Sequence, residues 1–435
     1  MPTTNQRPPA FVYSRNVLHC ERVPLTRLAA KFGTPLYVYS GTTIRERFLV
    51  FDTAFQGFPH TVCYSVKANP NLSILKLLAS LGSGFDVVSG GELERVLLAD
   101  RKAGARVVFS GVGKTAAEMD LAIRSGILLF NVESAGEMAL LAERAARLRR
   151  RVRMALRVNP DVPADTHPYI ATGLHKHKFG VPMEEATRLY TAAAKERWLD
   201  VAGVSVHIGS QITSVEPFSV AMQRVAELVR KLKTSGHDIR YVDAGGGLGI
   251  RYQLEPSPNG KRSGKAEKDD FPAQATDYAR AVTGPLRQIG VHLLLEPGRS
   301  IVAKAGALLV SILYTKQNDH KRFVVVDGAM NDLIRPTLYG AHHDITPVRL
   351  KRAKISIVDV VGPICESGDF FARDRELPGV EEGNLLAILD AGAYGASISS
   401  NYNTRPRAAE VMVEGARVRV VRKRETIKDL VTKEL

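Results

Sequence analysis

The sequence predicts two domains: an α/β domain built as a (β/α)8 barrel of the TIM type, and an all-β domain of the β-sandwich or β-barrel class. From about residue 45 to residue 295, short β-branched runs alternate with longer segments rich in Ala and Leu, as expected of repeated βα units around a parallel sheet. After residue 299, β-rich segments separated by turns replace this alternation, which favours a separate sheet. The length of 435 residues also exceeds what one hydrophobic core usually supports.

The barrel prediction depends on eight short runs dominated by β-branched and apolar residues. Eight is the number of strands that a closed barrel of this class requires. Helical segments such as Leu72–Leu81, Gly91–Ala99 and Pro217–Leu232 lie between them. The eight predicted strands are Thr61–Val66, Gly84–Val88, Arg106–Ser110, Leu128–Val132, Val152–Val158, Gly203–Ile208, Ile239–Ala244 and Val291–Glu296.

The second domain is predicted from five runs in the C-terminal part and one near the N-terminus. We assign residues 45–298 to the barrel, and residues 1–44 with 299–435 to the β-rich domain. The segment Glu255–Asp270 is rich in Pro, Gly, Ser and Lys, which predicts a solvated surface loop inserted in the barrel. The predicted β-rich runs are Leu36–Tyr39, Ala307–Tyr314, Arg322–Asp327, Lys354–Val361, Leu385–Asp390 and Ala409–Val413.

Composition narrows the protein class. The three cysteines, Cys20, Cys63 and Cys365, are widely spaced and odd in number, which indicates a reducing compartment and a cytoplasmic location. Residues Met1–Pro9 lack a basic-then-apolar pattern, and no apolar run approaches the roughly 18 residues of a membrane span. The net charge is +15, but the chain has no nucleic-acid-binding motif, so we expect neither nucleic acid nor a membrane as a partner. An anionic small ligand or simply a basic solvated surface explains the charge.

Chemically distinctive residues collect where the predicted barrel strands end. The carboxyl ends of the strands carry the active site in this architecture, so these residues predict one common site. In chain order they are Lys67, Asp86 with Ser89–Glu92, Asn159, His207–Gln211, Asp243–Gly249 and Glu296–Ser300.

Lys67 ends an apolar strand and is followed by Ala-Asn-Pro. An apolar or cation-lined environment lowers the pKa of a lysine toward the neutral amine that can form an imine; alternatively, the lysine is a charge that emerges into water. Gly245–Gly247 could bring backbone N–H groups to an anion at the usual phosphate position of a barrel, or could be a flexible turn. The chain has neither a P-loop nor a G-x-G-x-x-G motif, which argues against those nucleotide folds.

A glutamate and two sets of histidines can each be interpreted either as functional or as structural residues. Glu296 ends a very apolar strand, so it needs a cationic or hydrogen-bonding partner, either a protonated pyridine nitrogen or Arg299 in a structural pair. His207 could stack on a flat cofactor or be a satisfied core residue. His175 and His177 have the spacing of a metal pair, but no third ligand stands nearby, so no metal site is predicted.

Taken together, these motifs resemble the pyridoxal-phosphate-dependent decarboxylases of the alanine-racemase-like fold, and within that family the enzymes that act on diaminopimelate. The resemblance covers nearly the whole chain, apart from the Glu255–Asp270 stretch, which looks longer than is usual in the family. The motifs are Tyr64–Asn69, Phe85–Glu92, His207–Gln211, Gly245–Gly247, Glu296–Arg299, Arg335–Tyr339, Cys365–Asp369 and Ala393–Gly395.

The resemblance implies a cofactor, pyridoxal 5′-phosphate, and a role for each motif. Lys67 would bind the cofactor covalently, His207 would stack on its ring, and Cys365 would return a proton to the substrate; these three are the expected catalytic residues. The expected cofactor-binding residues are Lys67, Asp86, His207, Ser210, Gly245, Gly246, Gly247, Glu296, Gly298, Arg299 and Tyr394, and the expected substrate-binding residues are Arg299, Arg335, Tyr339, Glu366 and Tyr394.

The resemblance also implies the reaction and its alternatives. Related racemases carry arginine where Glu296 stands, and polyamine-pathway decarboxylases carry Asp where Glu366 follows Cys365. The chain is therefore expected to convert meso-2,6-diaminopimelate into L-lysine and CO2, as a homodimer whose active sites are completed across the interface. Another decarboxylase of this fold, acting on ornithine, arginine or carboxynorspermidine, and a catalytically silent pyridoxal-phosphate-binding protein are the alternatives.

Overall fold

The computed structural model describes residues 10–163, 178–252, 270–351 and 353–435. The predicted metal pair, His175 and His177, and residues 255–269 of the predicted surface loop lie outside these described residues. The chain divides into two compact units. Among the described residues, the barrel unit comprises 47–163, 178–250 and 270–300, and the β-rich unit comprises 10–46, 251–252, 301–351 and 353–435.

The barrel unit contains a closed ring of eight parallel strands within its described residues, which confirms the predicted fold class. Each strand pairs with the next along the chain, and Leu293 of the eighth lies opposite His60 of the first, which closes the ring. A two-residue strand, Val181–Pro182, pairs in parallel with the carboxyl end of the fifth strand. The eight strands are His60–Ser65, Gly84–Val87, Val107–Phe109, Leu129–Val132, Val152–Asn159, Leu199–Ser205, Tyr241–Asp243 and His292–Leu295.

Helices connect these strands, and several begin at a side-chain cap two to six residues after a strand ends. Asn71, Ser89, Thr115 and Ser134 each accept a hydrogen bond from a backbone N–H in the first helical turn, which satisfies a group that the helix itself leaves unpaired. Short, capped connections fix the loops at the carboxyl ends of the strands. The helices are Gly41–Ala54, Leu72–Ser80, Gly90–Ala99, Ala116–Ser125, Ala135–Leu148, Met183–Ala193, Glu216–Thr234 and Phe271–Thr283.

The β-rich unit is organised around a nine-stranded sheet within its described residues. Leu36–Ser40 pairs with both Gly306–Asn318 and Ala409–Glu414, so the N-terminal segment is part of this sheet. The other strands are Lys321–Val326, Ile345–Pro347, Ile355–Val361, Phe370–Pro378, Leu385–Ile388 and Arg417–Arg422. A separate three-stranded sheet consists of Phe11–Ser14, Val17–Cys20 and Val23–Pro24.

A hydrophobic core joins the two sheets of the β-rich unit. Leu18 and Cys20 of the small sheet pack with Leu36, Val38 and residues of the large sheet, together with the helix Leu25–Phe32. Burial of each such leucine contributes roughly 1.5–3 kcal/mol. Two short helices, Arg335–Tyr339 and Ile427–Val431, complete this unit's main elements. Among the helices of the described part of the chain, none is long and apolar enough to cross a membrane.

Candidate active site

A layer of polar side chains lies above the apolar layer inside the barrel. Cys63, Val108, Leu129 and Leu294 belong to one buried core cluster. Side chains two positions apart on a strand point to the same face, and two positions after these four residues stand Ser65, Ser110, Asn131 and Glu296. With Asp86 and Asp243 they form a hydrogen-bonded set from six strands, here named the polar ring: Ser65, Asp86, Ser110, Asn131, Asp243 and Glu296.

Lys67 lies at the rim of this ring, in the short turn Val66–Ala68 that follows the first strand. Its Nζ donates a hydrogen bond of 2.6 Å to Oδ2 of Asp86, and the Ser65 hydroxyl donates to the same oxygen at 2.7 Å. Burial of Asp86 alone would raise its pKa, but the charge of Lys67 and these hydrogen bonds bring the pKa below its usual value. The carboxylate is therefore ionised and holds the lysine amine at the end of the strand.

Glu296 and Asp243 form a buried pair of carboxyl groups on the eighth and seventh strands. Burial, followed by the negative charges of Asp243 and Asp86, raises the pKa of Glu296 well above its usual value. Burial raises the pKa of Asp243 to about 6, although hydrogen bonds from Asn131 and from the N–H of Gly245 act in the opposite direction. Two ionised carboxylates would repel each other here, so the pair holds a proton near neutral pH.

His207 follows the sixth strand and is neutral. Loss of hydration, together with the positive charges of Arg157 and Lys67, lowers its pKa to about 3, although the charge of Asp86 acts in the opposite direction. The backbone N–H of Gly246 donates to Nδ1 at 3.1 Å, so the ring proton is on Nε2. A neutral, oriented imidazole at this position can pack against a flat ligand without adding a charge.

The glycine loop after the seventh strand packs closely against its neighbours. Gly245 and Gly247 have positive φ angles of 67° and 105°, which favour glycine. A Cβ on Gly246 would overlap the carbonyl oxygen of Glu296. The N–H groups of Gly245 and Gly246 donate to Asp243 and His207. Beside this loop, Nη2 of Arg299 donates to the Ser210 hydroxyl at 3.0 Å, so a guanidinium and a hydroxyl next to a close-packed glycine turn offer donors to an anion.

Arg157 is a site residue that the sequence reasoning missed. It lies on the fifth strand, two positions before the predicted Asn159, and its side chain is only 8% exposed. Nη1 donates to Glu133 Oε1 at 3.1 Å, whereas Nε and Nη2 are buried and have no acceptor among the described residues. Such donors need an acceptor, and an anionic oxygen pairs with a guanidinium most strongly. The alternation with buried Ala155 on the same strand is a weak signal that could have revealed an inward-facing charge.

The residues present thus fit an anionic, ring-bearing cofactor in the barrel unit. A lysine amine, a neutral imidazole, a proton-holding carboxyl pair and unsatisfied arginine donors all belong to the carboxyl ends of its strands. The structure brings together here the predicted residues Lys67, Asp86, His207, Ser210, Gly245, Gly246, Gly247, Glu296, Gly298 and Arg299. Asn159 instead donates to the backbone carbonyl of Phe179 at 2.5 Å and holds a loop.

The β-rich unit contains the other predicted site residues. Arg335 is buried, its Nη1 lies 2.7 Å from His343 Nε2, and its guanidinium packs 4.3 Å from the centre of the Tyr252 ring. His343 Nδ1 lies 2.8 Å from the carbonyl oxygen of Leu389, so Nδ1 donates and Nε2 accepts from the arginine. Neither Tyr252 nor His343 was predicted, because their contacts with Arg335 arise only in the folded chain.

Cys365 and Glu366 lie on an exposed loop whose backbone is held by Asp369. The Asp369 carboxylate accepts hydrogen bonds of 2.7 Å from the N–H groups of Met330 and Ile364. Glu366 accepts a hydrogen bond from the Tyr402 hydroxyl, a partner that the sequence did not predict. Tyr339 and Tyr394 are half-buried in the same unit, and Tyr394 has a positive φ of 53°.

A closed parallel barrel that presents a strand-end lysine, a neutral histidine and a proton-holding carboxyl pair defines a pyridoxal-binding domain. The family described as pyridoxal-dependent decarboxylase, pyridoxal binding domain, matches residues 42–303. A diaminopimelate decarboxylase of Pseudomonas aeruginosa is 50% identical over 420 residues, 97% of each chain. The chain belongs to the diaminopimelate decarboxylase family of these pyridoxal-dependent enzymes.

Solved structures agree with this membership. The diaminopimelate decarboxylase of Helicobacter pylori complexed with L-lysine has a TM-score of 0.86 and 42% identity, covering 94% of this chain and 99% of that one. The enzyme of M. jannaschii in complex with L-lysine has a TM-score of 0.89 and 38% identity, covering 98% of each chain. The fold and the pyridoxal dependence predicted from the sequence are confirmed.

Proposed function

We propose that this protein decarboxylates meso-2,6-diaminopimelate at its D-configured centre and releases L-lysine and CO2, the last step of lysine biosynthesis. The observation that carries the proposal is the 50% identity to a diaminopimelate decarboxylase over 97% of both chains. Complexes of two relatives with L-lysine, the product, support it. In the net reaction the bond to the carboxylate carbon breaks, and a proton takes the place of the CO2.

The barrel unit is proposed to hold pyridoxal 5′-phosphate. When bound, the cofactor supplies the electron sink that accepts the electron pair released with CO2. Lys67 would hold it covalently, and His207 would support the face of its ring. Its phosphate would be held by the backbone N–H groups of Gly247 and Gly298, by Ser210 and Arg299, and by Tyr394. Gly245 and Gly246 would lie beside it, while their own N–H groups donate to Asp243 and His207.

Glu296 would hold a proton at the pyridine nitrogen. Its raised pKa results from burial and from the negative charges of Asp243 and Asp86, so a proton near this carboxyl persists at neutral pH. Neutral His207 places no opposing positive charge beside the ring. The two unsatisfied donors of Arg157 would bind an anionic oxygen of the cofactor or substrate.

The β-rich unit is proposed to recognise the distal amino acid end of the substrate. That end carries one carboxylate and one ammonium group, which need partners of opposite charge. Arg335, with Tyr339 and Arg299, would bind the carboxylate, and Glu366 would bind the ammonium group. Cys365 would donate a proton to the α-carbon, a role typically worth ~10²–10⁴-fold in rate.

We further propose a homodimer in which Cys365 and Glu366 of one subunit serve the site of the other. Chains carrying Lys67→Ala and chains carrying Cys365→Ala should each be inactive alone. After subunit exchange in an equimolar mixture, about a quarter of wild-type activity should return, since about half of the dimers are mixed and one of the two sites in each has both residues intact. No recovery on mixing would contradict a shared site. The cytoplasmic location is part of the proposal, supported by three unpaired cysteines.

The main test is CO2 release by the purified, cofactor-loaded protein. Release from meso-diaminopimelate should be well ahead of release from ornithine or arginine. A preference for ornithine or arginine would replace the substrate assignment. Bound cofactor without CO2 release from any of the three would identify a catalytically silent binding protein.

The covalent link is tested separately with borohydride and two lysine variants. Lys67→Ala should lose the visible absorbance band and the borohydride-reducible bond to the cofactor. Lys76→Ala, which changes an exposed lysine of the helix Leu72–Ser80, should keep both. A reducible bond that persists in Lys67→Ala would contradict the role of Lys67.

A further inference from the structure

Asp243 has no role in the proposed chemistry, yet it is fully buried and hydrogen-bonded to Glu296. Asn131 Nδ2 donates to Asp243 Oδ2 at 2.6 Å, and the N–H of Gly245 donates to Oδ1 at 2.9 Å. Both oxygens of Asp243 therefore accept hydrogen bonds from groups that cannot be acceptors. These hydrogen bonds favour the ionised form of Asp243 and oppose burial, so its pKa is raised only to about 6 and the group is ionised at neutral pH.

The contact between the two carboxyl groups then requires a proton on Glu296. Ionised carboxylates are acceptors only, so one member of a hydrogen-bonded pair must be protonated. Oε1 of Glu296 accepts from the Ser110 hydroxyl at 3.2 Å, and Ser110 itself accepts from Asn131 at 3.1 Å. Asn131 is thus the donor that fixes both Asp243 and Ser110, and through them the orientation of Glu296.

We propose that Asp243, held by Asn131 and the N–H of Gly245, is a positioning residue that fixes the Glu296 carboxyl and keeps a negative charge beside it. This charge raises the proton affinity of the group that Glu296 faces. The inference rests on the proposed contact of Glu296 with the pyridine nitrogen, and it adds two residues, Asp243 and Asn131, to the machinery that keeps that nitrogen protonated.

Burial and the charge of Asp243 act in the same direction on the pKa of Glu296, since both raise it. Asp86 also faces this pair and raises the pKa, whereas Lys67 lowers it. Tyr278 and Cys63, whose own pKa values are raised by burial and by these carboxylates, bring no opposing positive charge. Removal of the Asp243 charge should therefore make Glu296 and the nitrogen it faces easier to deprotonate.

A purely structural role for Asp243 is the competing explanation. The Asn131–Asp243 hydrogen bond joins the fourth and seventh strands, so its loss could loosen the barrel without any effect on protonation. A structural role would lower the melting temperature and the cofactor content. It would leave the pH at which the ring nitrogen loses its proton unchanged.

The test loads wild-type protein and variants with pyridoxal 5′-phosphate labelled with 15N at the ring nitrogen, and follows the 15N chemical shift against pH without substrate. In Asp243→Asn the midpoint of deprotonation should fall by about one pH unit or more relative to wild type. Asn131→Ala should shift it in the same direction by a smaller amount. Ser83→Ala, which removes a buried hydroxyl from the amino end of the second strand, should not shift it.

Kinetics provide a second readout. In wild type and in Asp243→Asn, kcat should fall as the pH rises on the alkaline side of the profile. The midpoint of this fall should lie at a lower pH in Asp243→Asn, with KM changed less than about threefold. An unchanged 15N midpoint in both Asp243→Asn and Asn131→Ala, with only reduced thermal stability, would overturn the proposal. The 15N measurement needs no substrate, so failure of the wild-type protein to decarboxylate diaminopimelate would refute the proposed function alone.

Discussion

Glu366 accepts the hydroxyl of Tyr402 although the two residues are 36 positions apart and both are exposed. The tyrosine restricts a carboxylate that would otherwise sample many rotamers in water. This contact also raises the pKa of the Tyr402 phenol, since the hydrogen bond favours its protonated form. Tyr402 therefore orients the carboxylate that we propose for the substrate ammonium group.

Tyr402→Phe should raise KM for meso-diaminopimelate several-fold and change kcat less than about twofold. Loss of one neutral donor is worth about 0.5–1.5 kcal/mol, up to roughly tenfold in binding. Steady-state kinetics on the variant measure this directly. Tyr314→Phe, at an exposed tyrosine of the same unit, is the matched control, and equal KM values for the two variants would refute the role.

At the scale of elements, the strands of the barrel were predictable, but their ends were less so. The sixth strand begins at Leu199 rather than Gly203, because residues from Leu199 to Val201 pair with the fifth strand. In the β-rich unit, Phe370–Pro378 and Arg417–Arg422 lie at the two ends of the main strand order. They were missed because charged residues interrupt their apolar pattern, as is common at sheet edges.

The site was predictable only in part, because some of its contacts join residues that are far apart in the sequence. Lys67, Asp86 and Glu296 could be recognised by their positions at the ends of apolar strands. The pairing of Asn131 with Asp243 spans 112 positions and depends on closure of the barrel, which no local pattern encodes. Arg157 was missed because its one local signal, the alternation with Ala155, is weak, since Arg153 on the same face of the strand is exposed.

A buried lysine ties three elements of the barrel together. Lys114 is fully buried and donates to the carbonyl groups of Gly111 and Asn131 and to Glu137 of the helix Ala135–Leu148, at 2.7, 2.6 and 2.6 Å. Lys114→Met should destabilise the protein by about 3–5 kcal/mol, because it leaves the buried Glu137 carboxylate without a cation.

The double variant Lys114→Met with Glu137→Gln removes the isolated charge and should recover part of this loss. Denaturant unfolding of the two single variants and the double variant gives the coupling energy, expected at about 1–3 kcal/mol. Strict additivity of the two substitutions would show that the pair does not interact.

The helix Ala116–Ser125 begins with a capping box. Thr115 and Glu118 exchange side-chain to backbone hydrogen bonds, and Glu118 also accepts from the N–H of Gly90 at the start of the preceding barrel helix. Thr115→Ala should lower the free energy of unfolding by about 1 kcal/mol. Thr191→Ala, at an exposed position of the helix Met183–Ala193, should change it by less than about 0.5 kcal/mol. Equal effects in urea unfolding would argue against the cap.

At the scale of the whole molecule, buried carboxyl groups make stability depend on pH. Asp332 is buried in the β-rich unit, where burial raises its pKa to about 6 against the effects of the Ala329 N–H and Arg405. Between about pH 4 and 6 the native state keeps a proton that the unfolded chain has lost. The contribution of Asp332 to stability is therefore present below about pH 4 and declines as the pH rises through about 6.

Asp332→Asn should become more stable relative to wild type as the pH rises. The difference in free energy of unfolding between variant and wild type should grow by about 2 kcal/mol from pH 4 to pH 7.5. Denaturant unfolding of the cofactor-loaded proteins at several pH values measures it. Asp319→Asn, at an exposed loop position, should show no such trend, and a parallel trend in both variants would contradict the assignment to Asp332.

The polar ring also restricts how this protein can change over evolutionary time. Its members hydrogen-bond to one another across six strands, so a substitution at one member removes the partner of a neighbour inside the barrel. A substitution in the ring therefore needs a second, compensating substitution at the partner residue to keep the hydrogen bonds complete. Exposed residues such as Glu366 are open to water, which can take the place of a lost partner, so single substitutions cost less there than in the ring.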